Sequence, residues 1–141
     1  MSESGIRGAV VAVDLFEAVS ALVGAVGLVV GFMAVPLSVL SGTPFTDFTV
    51  PALFLGVVVG GSALAAALVT AFGPRRLGAP ASVVAGCITV GYLTIEIALI
   101  GLGSGAQVVW LLVGLLMIGL AVLLWQTESH AAGAGGRHQP V

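Results

Sequence analysis

Apolar side chains run along this chain in four blocks, and the polar residues gather in the short stretches between them. A hydrocarbon core about 30 Å thick takes roughly 20 residues of helix. The blocks at about residues 15–38, 50–72, 81–101 and 108–125 all meet that length, and Ala18 to Leu40 holds no ionisable side chain. Pro36 is expected to bend or end the first helix, since an interior proline forfeits a backbone hydrogen bond. Pro51 falls near the first turn of the second, where the missing N–H costs little. The pattern predicts an all-α protein, a polytopic bundle of four transmembrane helices.

The links read as turns. Residues 41–49 combine glycine, proline and short hydroxyl residues, residues 73–80 carry Gly73, Pro74, Gly78 and Pro80, and residues 101–107 carry three glycines. Asp47, ahead of Thr49, is expected to cap the second helix. Residues 1–13 are expected to form a cytoplasmic N-terminal segment. Residues 126–141, polar and then rich in alanine and glycine, are expected to form a disordered cytoplasmic tail. A cleaved signal peptide competes for the first block, but the apolar stretch is too long for one and Asp14 and Glu17 sit where its apolar region would begin.

Composition narrows the function classes. Only 7% of the residues are charged and 59% are hydrophobic, against about 25% charged in an ordinary soluble domain. With a mean hydropathy of +1.23, the chain needs lipid as its solvent and the bilayer as its first partner. A net charge of -2 without a basic run argues against nucleic acid. The single cysteine, Cys87, rules out an internal disulfide, and both histidines, His130 and His138, lie in the tail, so no haem is held between intramembrane histidines. No nucleophile–histidine–acid, phosphate-binding or metal-ligand pattern is present, so neither enzyme, cofactor nor metal is expected.

Orientation follows from the cations. An even number of spans puts Arg7, Arg75, Arg76 and Arg137 on one side, and the opposite loops carry no positive charge. The arginine side is therefore expected in the cytoplasm, with both termini. Trp110 and Trp125 bracket the last block about 22 Å apart by helix rise, as interfacial aromatics would. Phe16 and Phe72 are expected at the inner boundary, Phe45 and Phe48 at the outer.

Helices in lipid associate through close packing, which makes glycine informative. Gly24, Gly27 and Gly31 give the first helix a small-residue face, and Gly56, Gly60 and Gly61 give the second one its own. The bland reading is packing within the chain; the other is a docking face for a homo-oligomer or a larger membrane complex.

Glu96 is the first candidate for chemistry. It lies five residues from the outer end of the third block, about 7 Å inside by helix rise, where a carboxylate costs several kcal/mol. Tyr92 stands one turn away, and no basic residue exists in any of the four blocks to pair with it. That leaves a hydrogen-bonded acid, a snorkelling carboxylate, or a proton or cation site. Asp14 and Glu17, three apart on one helix face, read either as acids favoured by the helix dipole at the membrane boundary or as the entrance of a proton or cation path whose far end is Glu96.

The stretches from Ser41 to Pro51, Gly91 to Ile97 and Gln107 to Trp110 resemble small, uncharacterised four-helix integral membrane proteins of bacteria, over about Phe16 to Trp125. The absence of lysine and the wealth of Ala, Gly and Val are similar to actinobacterial chains. This resemblance implies fold and placement and no activity. Small multidrug exporters are also four-helix proteins with a glutamate in the first helix, where Glu17 falls; no tryptophan follows in the second or third helix, so no residue role is carried over. DoxX-like proteins share size and helix count without their motifs. Two readings stand: a non-enzymatic accessory or structural subunit that packs through its glycines, and a small proton- or cation-coupled transporter centred on Glu96.

Overall fold

The computed structural model describes residues 1–135. Over them the chain forms four helices long and apolar enough to cross a membrane: α1 Glu3–Val29, α2 Thr49–Phe72, α3 Arg75–Ile100 and α4 Gly105–Gly135. No strand occurs among the described residues. Each helix packs on its neighbours in order, α1 on α2, α2 on α3, α3 on α4 and α4 back on α1, which leaves α1 and α3 facing across the diagonal.

The first helix starts and ends earlier than the apolar block suggests. Ser2 caps it, its hydroxyl accepting from the Gly5 N–H at 3.2 Å. Beyond Val29, Gly31 turns the chain at φ +74°, a conformation that side chains with a Cβ rarely adopt. The segment beyond forms one short 3-10 turn, Leu37–Leu40, so Pro36 precedes that turn and lies beyond the end of α1. The third helix begins at Arg75, ahead of Pro80, which is tolerated inside it. A π-helical stretch, Phe54–Gly60, lies within α2 where that helix meets α1.

The last helix corrects the expectation of a disordered tail over residues 126–135. It continues to Gly135, and the Ser129 hydroxyl and His130 Nδ1 bond the carbonyls of Trp125 and Gln126, one turn back. Ala131, Ala132 and Ala134 are strong helix formers that continue the run. Residues 136–141, with the orientation assigned to Arg137, lie outside the described residues.

Packing is inverted relative to a protein folded in water. Alanines fill the centre, Ala18, Ala63, Ala66 and Ala85 around Met117, whereas Phe16, Phe32, Phe54 and Phe72 are exposed. In water that arrangement would leave the largest apolar groups unburied; in lipid it lets backbones approach while the bulky side chains meet acyl chains.

At the arginine end one guanidinium joins all four helices. Arg7 of α1 donates to the carbonyl of Thr70 in α2 at 2.9 Å and to that of Arg75 in α3 at 3.4 Å, and pairs with Glu128 of α4. Arg75 also pairs with Glu3 at 3.3 Å.

Candidate functional site

Asp14 and Glu17 do not stand at the start of a helix. Because α1 starts at Glu3, Asp14 lies eleven residues into the helix, about 16 Å along it by helix rise. Both side chains point into the bundle, 0% and 3% exposed. Across the diagonal, α3 supplies their partners: the Ser82 hydroxyl donates to Asp14, and the Thr89 hydroxyl donates to Glu17 at 3.3 Å. Ser82 and Thr89 are themselves buried and seven residues apart, two turns of one α3 face.

Each acid keeps one buried oxygen, Asp14 Oδ1 and Glu17 Oε2, with no hydrogen-bond partner. Neither acid forms an ion pair among the described residues, where the salt bridges are Arg7–Glu128 and Arg75–Glu3. A buried carboxylate without a cation carries a cost of several kcal/mol, and a bound proton or cation removes it. Hydroxyls suit this setting because they both donate and accept, and so can solvate either form of the acid.

Glu96 sits elsewhere and does other work. It is half-buried and accepts from Gln107 Nε2 at 3.0 Å. Gln107 belongs to a capping box at the start of α4: its backbone N–H donates to Ser104 Oγ at 3.4 Å, and its Oε1 accepts from the N–H groups of Ser104 and Gly103 at 3.3 and 2.9 Å. Those two N–H groups fix which end of the amide is oxygen, so Nε2 is the atom aimed at Glu96. The carboxylate thereby ties α3 to the turn that follows it. Tyr92, half-buried one turn away, shares the C-terminal part of α3. Glu96 and Tyr92 are therefore separate from the Asp14–Glu17 pair, since Glu96 lies seven residues beyond Thr89, about 10 Å along α3.

The glycines divide in the same way. Gly24, Gly56 and Gly60 lie in the α1–α2 contact, where an added Cβ would stand 3.3 Å from Leu55, 3.0 Å from Ala25 and 3.3 Å from Leu22. Gly27 is filled by Met33, which folds back from the following loop and donates its N–H to the Gly27 carbonyl at 3.1 Å. Gly31 is no part of a helix face; it makes the turn. Gly61 is exposed, with nothing within 4 Å of an added Cβ. The tightest helix approach lies at a pair outside that set: a Cβ on Gly86 would stand 2.7 Å from Ile118 Cγ1 and 3.0 Å from the Gly114 carbonyl.

Phe16 also departs from its expected place. Its ring packs on Trp110 of α4, centroids 5.4 Å apart, so it faces a residue assigned to the other interface. The reason is again the early start of α1, which puts Phe16 thirteen residues into that helix and not at its beginning.

Asp47 is not the cap of α2, since Phe48 holds that position without a side-chain bond; Asp47 stands one residue ahead and turns the chain into the helix. Its carboxylate accepts from the Thr49 backbone N–H at 2.8 Å at the start of α2, and that bond holds its pKa below the ordinary carboxylate value. Comparison of the chain with family models, curated proteins and solved structures finds no match.

Proposed function

We propose that this chain is a non-enzymatic, proton-translocating protein of a bacterial cytoplasmic membrane, in which Asp14 and Glu17 take up and release the proton. One observation carries the reading: two carboxyls one turn apart, sealed in the interior of a membrane bundle, each with an oxygen that lacks a partner and neither with a cation. Ionisable groups at such depth face a steady energetic penalty, and proton relays are the chemistry that repays it. Fixed on one helix and answered by hydroxyls on the helix opposite, they form two stations about 4.5 Å apart in helix rise. The arginine end faces the cytoplasm by the positive-inside rule, which puts both termini there.

The accessory-subunit reading draws less support, because Gly24, Gly27, Gly56 and Gly60 are occupied within the chain, Gly31 makes a turn beyond α1, and of the six only Gly61 gives a helix an open outward position.

The test is proton flux. In vesicles loaded with a pH-sensitive dye and driven by an inside-negative potassium diffusion potential, the wild-type protein should acidify the lumen. The double variant Asp14→Asn, Glu17→Gln should fall to the rate of protein-free vesicles. Equal rates for wild type and double variant contradict the proposal.

A further inference from the structure

The arginine end of the bundle is layered. Outermost is Arg7, only 18% exposed along its side chain, held by the Thr70 and Arg75 carbonyls and paired with Glu128. An apolar cluster drawn from three helices follows: Ile6 of α1 stands level with Arg7, and Val10 of α1, Ala79 of α3 and Leu124 of α4 stand about one turn further in, all 2% exposed or less. Asp14 and Ser82 come next. Arg7, Val10, Asp14 and Glu17 recur at spacings of three and four, so they share one face of α1. The path from the arginine surface to Asp14, about 10 Å by helix rise, therefore crosses an ion pair and then a dry layer.

We infer that the Arg7–Glu128 pair and the layer of Ile6, Val10, Ala79 and Leu124 form a gate that closes the arginine side over Asp14. This rests on the assignment of Asp14 and Glu17 as the proton-carrying pair, and it names what controls their access to the cytoplasm. The pair is suited to the task because, through Arg7, a single side chain bonds to groups on the three other helices. Arg7 Nε is already buried without a partner, so a guanidinium that also lost Glu128 would have to draw water inward. Water at Arg7 stands one turn from Val10.

The experiment reads water access directly and is independent of proton movement. In a Cys87→Ser background, Val10→Cys is exposed to a membrane-impermeant maleimide from the arginine side, with Ser129→Cys as the exposed control. With the gate intact, Val10→Cys should react at least about tenfold more slowly than the control. Glu128→Gln should raise its rate at least about tenfold, the change expected from ~1.4 kcal/mol in the closed-to-open equilibrium. Leu124→Ala, which thins the dry layer and leaves the ion pair alone, should raise it as well and decides the matter if Glu128→Gln does not fold. Val10→Cys reacting as fast as the control, or unchanged labelling in either folded variant, overturns the gate. Labelling as expected without proton flux would keep the gate and reject the proton pair beneath it.

Discussion

At the scale of single residues, the burial of Asp14 dominates. Ser82→Ala removes its hydroxyl donor and leaves both carboxyl oxygens without a partner, which should destabilise the bundle by about 1–3 kcal/mol. Denaturant titration in detergent micelles, followed by tryptophan fluorescence, measures it; an unchanged midpoint contradicts the contact. Adding Asp14→Ala should cost less than the sum of the two single changes, because the groups act as one pair. Asp47 gives a pH test outside the membrane. Its bond to the Thr49 N–H lowers its pKa below 3.8, so its contribution to folding is complete above that value and is lost as pH falls through the lower folded one. Asp47→Asn should flatten that acid-side loss of stability, and an identical acid profile in the variant contradicts a contribution from this bond. What the sequence hid at this scale is partnership. Asp14 and Glu17 were visible as a pair on one face, but Ser82 and Thr89 are ordinary residues whose meaning comes only from the helix they oppose. Their seven-residue spacing, repeated once more at Glu96, was the available signal.

At the scale of helices, glycine positions separate by what lies against them. Gly86→Leu should destabilise by about 1–3 kcal/mol, since even its Cβ would press on Ile118 and on the Gly114 carbonyl. Gly119→Ala meets nothing within 4 Å and should be neutral or stabilising by up to about 1 kcal/mol through helix propensity. Denaturant titrations of the two variants that move together would contradict this division. Gly86 and Gly114 escaped notice because they stand on different helices, and spacing within one sequence segment cannot register a contact between two. The existence of each helix was legible from hydropathy alone, whereas its ends were not. A charge-free stretch locates the lipid-facing surface, and Asp14 and Glu17 turn inward, so they set no boundary for α1. The continuation of α4 past Trp125 follows from alanines and short side-chain-to-carbonyl bonds that composition alone reads as tail.

For the whole molecule, number of spans and polarity of packing agree. Small residues fill the interior, large ones cover the outside, and Arg7 with its three partners gathers the four helices at one end. That common end was legible from scattered arginines without counterparts in the opposite loops; that one of them is half-buried in an ion pair was not. The claim on which the functional account turns is that Asp14 and Glu17 exchange protons inside this lipid-facing bundle. Infrared difference spectroscopy of the lipid-reconstituted protein across a pH step tests it most directly. The account predicts carboxyl C=O bands that appear and vanish with pH, shift in D2O, and are lost in turn with Asp14→Asn and Glu17→Gln. Bands unaltered by both substitutions would contradict it.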